Sequence, residues 1–163
     1  MRKLIFADGE FSGLNPNGTE FLSLALIKEN GDELYLEFDY KGEVVDWVKE
    51  NVIPYLNSTK LSKEEAKQKI LEFVGNDKPY FVSYVNSFDW MGICGLFGVF
   101  EVPFYWVPLD FATMLFQKGI IPEMTTPEEL AKTYNISLDN HKAHNALDDT
   151  RLIRNLYLKI FKK

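Results

Sequence analysis

The chain has 163 residues, 46% hydrophobic and 26% charged, which suits one domain over 1–163 with one core and argues against disorder. Its formal net charge of −6 argues against a protein held to nucleic acid by a broad basic surface. A lone cysteine, Cys94, excludes an intramolecular disulfide and points to a reducing, cytoplasmic setting, with Cys94 itself filling core space.

In chain order, Met1 to Ala7 begins like a signal peptide, but Asp8 and Glu10 end the apolar stretch too early for one. Lys3 to Ala7 reads as a strand, and residues 12–18 as a loop dense in turn formers. Glu20 to Lys28 is a second strand, Asn30-Gly31-Asp32 a hairpin turn, and Glu33 to Asp39 a third strand with Leu34, Leu36 and Phe38 on one face. Helical patterns follow at 43–55 and 62–74, the second opened by Ser62 and Glu65 in capping-box spacing. Pro79 to Val85 is a strand and Phe88 to Phe100 a helix. Pro103 to Val107 is a short strand, and Asp110 to Lys118 a helix ended by Gly119. Thr126-Pro127-Glu128-Glu129 opens another helix, and Asn145 to Phe161 is the last. Met91 to Leu109 is the only candidate membrane span. Glu101, Pro103 and Pro108 break it, so it reads as a buried helix and strand, with no membrane partner.

A three-strand meander followed by helices interleaved with two more strands implies an α/β, ribonuclease H-like three-layer fold. Its sheet would be five-stranded and mixed, flanked by helices.

The informative residues are carboxylates on faces that should be apolar. Leu4, Phe6, Asp8 and Glu10 share one strand face, which turns acidic at its C-terminal end, where α/β sheets place ligands. Two such acids repel unless a cation lies between them, and hard divalent metals prefer oxygen ligands. In the last helix the apolar stripe Leu152, Ile153, Leu156, Tyr157, Ile160 extends back to Asp149, while Asp148 points to the flank. Asp89 likewise tops a stripe of Ile93, Leu96 and Phe100, with an N-cap role as the alternative. Four inward carboxylates at element ends suit two-metal phosphoryl transfer. The only histidines, His141 and His144, lie just before the last helix, within reach of the same site. Residues 141–163 carry six Lys or Arg against two Asp. Of these, Arg151, Arg154, Lys159 and Lys162 read as a solvated face rather than a nucleic-acid track.

The set Asp8-Gly9-Glu10, Asn86-Ser87-Phe88-Asp89 and His144-Asn145-Ala146-Leu147-Asp148-Asp149 resembles the DEDD superfamily of 3′–5′ exonucleases, histidine branch. The spacing of the family's H-x-x-x-x-D selects His144 and Asp149. Tyr84 to Trp90, with Leu96-Phe97-Gly98 and Pro103 after it, is most similar to small ribonuclease T-like exoribonucleases. The chain departs from the family pattern at Gly9, where a larger residue is usual, and in a shortened segment around Asn86 that lacks its histidine.

The resemblance implies that Asp8, Glu10, Asp89 and Asp149 hold two divalent metal ions, Mg²⁺ or Mn²⁺, with Asp8 bridging. His144 would be the general base. The 3′-terminal nucleotide would lie over Phe11, Ser12, Gly13 and Leu14, with Leu14 wedging between bases or else anchoring the loop. Trp90 would stack on a base or sit in the core. The implied activity is hydrolysis of single-stranded RNA from its 3′ end, releasing nucleoside 5′-monophosphates, and a homodimer is compatible with it. A DNA exonuclease of the proofreading type and a non-catalytic nucleic-acid-binding module are the alternatives.

Overall fold

The computed structural model describes residues 2–14 and 20–162, so part of the predicted 12–18 loop lies outside the described residues. The first strand, β1 (Leu4–Phe11), sends alternate side chains into two separate cores. It pairs with antiparallel β2 (Phe21–Lys28), which turns through Gly31 (φ +100°) into β3 (Glu33–Phe38). Parallel β5 (Tyr80–Ser83) lies on the other side of β1, preceded in the chain by β4 (Lys60–Leu61) and followed by β6 (Leu109–Asp110). The mixed sheet runs β4-β3-β2-β1-β5-β6.

Helices cover both faces. On one, Ile5, Ala7 and Phe11 pack with Leu24, Leu36, Phe38 and Phe81 beneath α2 (Lys63–Val74) and α3 (Ser87–Phe97). The expected apolar face of β3 belongs to this layer, and so does Cys94, whose thiol burial pushes up. On the other face, Leu4, Phe6 and Val82 pack beneath α4 (Phe111–Gln117), α5 (Pro127–Thr133) and α6 (Ala146–Phe161). Capping boxes start α2 at Ser62–Glu65 and α5 at Thr126–Glu129, satisfying backbone donors that a helix start leaves free. A short α1 (Asp46–Asn51) completes the helices.

The structure corrects three expectations. Among the described residues the sheet has six strands rather than five. The additional edge strand β4 is pinned by Glu37, which is fully buried. Its carboxylate accepts the N–H groups of Asn57 (2.9 Å) and Ser58 (3.1 Å) and pairs with Lys60. Second, no strand forms at 103–107. Pro103 and Pro108 have no N–H for a ladder, Tyr105 N–H bonds the Pro79 carbonyl at 2.8 Å, and the pairing with β5 is made by β6. Third, the helix predicted over 43–55 is only α1, followed by a 3₁₀ turn at Ile53–Tyr55 that contains Pro54.

The C-terminal basic residues fasten α6 to the β2–β3 hairpin. Arg151 binds both oxygens of Glu33 (2.8 and 2.6 Å). Arg154 donates to the Lys28 and Glu29 carbonyls, and Lys162 pairs with Glu29 at 2.7 Å. Among the described residues no helix is long and apolar enough to cross a membrane.

Candidate active site

The site exists because β1 outruns its neighbour. β1 pairs with β2 from Ile5 to Phe11, but with β5 only through Phe6. Beyond Phe6 its backbone faces the start of α3 instead of a strand, and the Gly9 N–H bonds the Asp89 carboxylate. Asp89 is the third residue of α3 and only 4% exposed; the N-cap position belongs to Asn86. Asp8 and Glu10 project from the opposite face of β1, across from the small residues Ala25 and Ser23 of β2.

From above that face, the fourth residue of α6 joins them. Asp8, Glu10 and Asp149 each present an oxygen within 4.8 Å of the others. The neighbouring Asp148 turns away, accepting from Arg151 (3.2 Å) and from the Lys142 N–H (3.2 Å). Asn145 caps α6 through the Asp148 N–H, which sets the helix start and therefore where Asp149 falls.

His144 adopts a left-handed backbone (φ +64°), and its N–H donates to Asp149 Oδ2 at 2.9 Å. Its exposed ring stands edge-on to Trp47 of α1, centroids 4.8 Å apart. His141 approaches Asp149 from the other side, Nε2 to Oδ1 3.3 Å.

These groups open into a cavity of about 520 Å³ lined by Asp8, Gly9, Glu10, Asp89 and His144, with Gly13, Leu14, Trp47, Val85 and Phe88 among its other walls. Among the described residues, no Lys or Arg lines it. Val85 is β-branched yet holds φ +54°, a conformation costing about 1–3 kcal/mol that persists only where its surroundings enforce it. Asp110 does so from the adjoining residue: its carboxylate accepts the Asn86 N–H at 2.9 Å while also capping α4 through Thr113.

Among the residues expected to touch substrate, Leu14 is 63% exposed at the rim, and Gly13 lines the wall against Val45. Ser12 is buried and binds the loop together through the Glu20 carbonyl and the Val45 N–H, both at 3.0 Å. Phe11 borders the cavity, but its ring stacks on Phe21 in the core. Trp90 lies elsewhere: its ring packs on Phe81 and borders a different hollow with Val102 and Phe104. Sequence reasoning missed Trp47, Val85 and Phe88. Trp47 lies between Asp46 and Val48 and is 52% exposed, an aromatic with no core to fill.

The electrostatics are those of acids without a counter-ion. Burial, then Asp89, Glu10 and Asp149, push the Asp8 carboxyl well above its ordinary value. Burial lifts Glu10 to about 7. Asp89 also reaches about 7 through burial, against the pull of Ser83 and the Gly9 N–H. Asp149 reaches about 7 through burial and Glu10, despite the His144 N–H. Glu37 is the contrast. Burial pushes it up as well, but Lys60, the Ser58 and Asn57 N–H groups and the Tyr35 hydroxyl bring it below its ordinary value. Clustered hard oxygen donors, converging with no Lys or Arg paired to them among the described residues, are a donor set that a divalent metal fits.

No protein-family model and no curated protein sequence matches the chain. Solved structures do match. An exonuclease I from Methylocaldum szegediense superimposes with a TM-score of 0.73 at 18% identity, covering 100% of this chain and 42% of that one. E. coli exonuclease I in complex with a dT13 oligonucleotide gives 0.71 at 17% identity, covering 98% and 41%. Another exonuclease I structure gives 0.73 at 17% identity, covering 97% and 41%. The chain thus spans about two-fifths of the length of these neighbours. Over nearly all of its own length it has the ribonuclease H-like fold of exonuclease I.

Proposed function

We propose that the protein is a metal-dependent 3′→5′ exonuclease acting on single-stranded nucleic acid. The observation that carries this reading is the convergence of Asp8, Glu10 and Asp149 oxygens within 4.8 Å, with Asp89 beside them and, among the described residues, no Lys or Arg in the cavity wall. Asp8, Glu10, Asp89 and Asp149 would hold the divalent ions, Mg²⁺ or Mn²⁺. When bound, such ions stabilise the charge that develops on the attacking and leaving oxygens of an in-line displacement.

The chain's own groups supply the rest. His144, at the cavity mouth, takes a proton from the attacking water. Its N–H bond to Asp149 ties the position of the base to that of the carboxylate cluster. The water oxygen forms a bond to the terminal phosphorus while the bond to the preceding nucleotide's 3′ oxygen breaks, and that oxygen takes up a proton. The product is a nucleoside 5′-monophosphate. Leu14 and Trp47 offer exposed apolar surface to the terminal bases, which every base can use.

The resemblance of the sequence to ribonuclease T-like enzymes favours RNA. The second reading, DNA, is supported by structural neighbours solved with dT13 and dA16 oligonucleotides. The test is matched 5′-labelled single-stranded RNA and DNA incubated with Mg²⁺ or Mn²⁺. A ladder shortening from the 3′ end of RNA is the expected result. A ladder on DNA alone replaces the RNA reading with the DNA one, and intact substrate with either metal at high protein removes both.

A further inference from the structure

Asp149 faces two ways. Its Oδ2 accepts the His144 N–H beside the catalytic cavity, while its Oδ1 lies 3.3 Å from His141 Nε2. Glu128 Oε1, from α5, is 4.0 Å from the same nitrogen. Glu128, His141 and Asp149 offer one ligand atom each within 4.8 Å of one another. The His141 side chain is 11% exposed, and its Nε2 is buried with no hydrogen-bond partner. Buried polar atoms are nearly always satisfied, and an orphan among converging carboxylates calls for an explanation. Atoms that ligate one tetrahedral ion at about 2.0–2.2 Å lie roughly 3.3–3.6 Å apart; the His141–Asp149 separation is in this range, and the Glu128 carboxylate, at 4.0 Å, needs a small inward shift to join it. An imidazole with two carboxylates is a donor set for zinc and neighbouring transition metals, whereas Mg²⁺ prefers oxygen alone.

We propose that Glu128, His141 and Asp149 form a second divalent-metal site, suited to Zn²⁺-type ions, that shares Asp149 with the catalytic cluster. A Zn²⁺ ion there competes for the Asp149 carboxylate and inhibits hydrolysis. The inhibitory consequence rests on the reading of Asp149 as a catalytic metal ligand; the binding itself does not.

The experiment measures Zn²⁺ by calorimetry and Co²⁺ by its visible absorption, on the whole chain, in the wild type, Asp8→Asn, His141→Gln and Glu128→Gln. The expected result is a binding event that survives Asp8→Asn and weakens by at least about tenfold in His141→Gln and Glu128→Gln, as loss of a ligand should cost no less than loss of its supporting shell. Glu128 lies partly exposed at the start of α5, so its variant separates loss of a ligand from loss of fold. Binding that is unchanged in both ligand variants, absent in the wild type, or abolished by Asp8→Asn overturns the proposal and leaves His141 as an ion-pairing histidine. In the activity arm, Zn²⁺ should inhibit Mn²⁺-supported hydrolysis of the wild type, and His141→Gln should relieve that inhibition while keeping Mn²⁺-supported activity. If no metal supports hydrolysis, the exonuclease reading fails while the binding arm still decides the site.

Discussion

The Phe21 ring fills the space in which a side chain at Gly9 would lie. A Cβ at residue 9 would come within 2.4 Å of Phe21 Cε1 and 3.2 Å of Asp89 Oδ1, and one at Gly92 within 2.4 Å of Phe21 Cζ. The glycine of the D-x-E sequence therefore lets a β2 aromatic and the Asp89 carboxylate both close on β1. Gly9→Thr is expected to destabilise the fold by about 1–3 kcal/mol through overpacking. Combined with Phe21→Leu it should cost less than the sum of the two single changes, by about 1 kcal/mol. Chemical denaturation of the four proteins checks this, and strict additivity would show that Phe21 is not the obstacle.

Asp8→Asn removes the acid most crowded by the others. Metal-supported hydrolysis should fall by about 10³-fold or more, since charge stabilisation by bound metal is worth several kcal/mol. The metal-free variant should melt no lower than the wild type, because repulsion and burial of charge are relieved together. Wild-type rates in Asp8→Asn would remove Asp8 from the site.

Stability of the metal-free protein should depend on pH with a definite sign. Glu10, Asp89 and Asp149 are raised to about 7, whereas in the unfolded chain carboxylates titrate near about 4. The folded protein then holds protons that the unfolded chain has released. This contribution is complete below the unfolded value and lost as pH rises through about 7. With a chelator present, Tm should fall between about pH 5 and 7.5, and Mn²⁺ should offset the fall because binding displaces those protons. A Tm that rises across that range in chelator contradicts the account.

His144→Ala should lower kcat by roughly 10²-fold, the usual scale for a lost general base, with little change in melting. The ring is exposed and its backbone bond to Asp149 does not need the side chain. An unaffected pH–rate profile in this variant would assign the proton to another acceptor.

Glu37→Ala should behave in the opposite way. It leaves the Asn57 and Ser58 N–H groups without their acceptor and is expected to cost about 1–3 kcal/mol in chemical denaturation while sparing activity per folded molecule. A matching loss of activity would mean that the β4 edge communicates with the site.

What was legible in the sequence was periodic. The apolar stripe of α6 separates Asp149 from Asp148, and the structure turns Asp148 to Arg151 while Asp149 meets Asp8 and Glu10. Local signals likewise mark two helix starts in the sequence, the Ser62–Glu65 spacing for α2 and the Thr126 N-cap with Pro127 for α5. What was not legible depends on contacts between residues distant in the chain. β4 is two residues long and exists through Glu37, and the strand expected at 103–107 yields to β6 because prolines flank it. Gly9 has no local explanation until Phe21 is placed beside it. Trp90 looked available from its position after Asp89, yet that turn of α3 faces Phe81.

Fastening α6 to the hairpin engages Arg151, Arg154 and Lys162 in intramolecular bonds, and among the described residues the cavity wall contributes no Lys or Arg. If a single strand docks here as proposed, few of its phosphates would meet a free Lys or Arg, so its affinity should change little with ionic strength. On the exonuclease reading, attraction would be concentrated at the metal-bound 3′ terminus rather than along the strand, and a binding constant that falls steeply with added salt would contradict it.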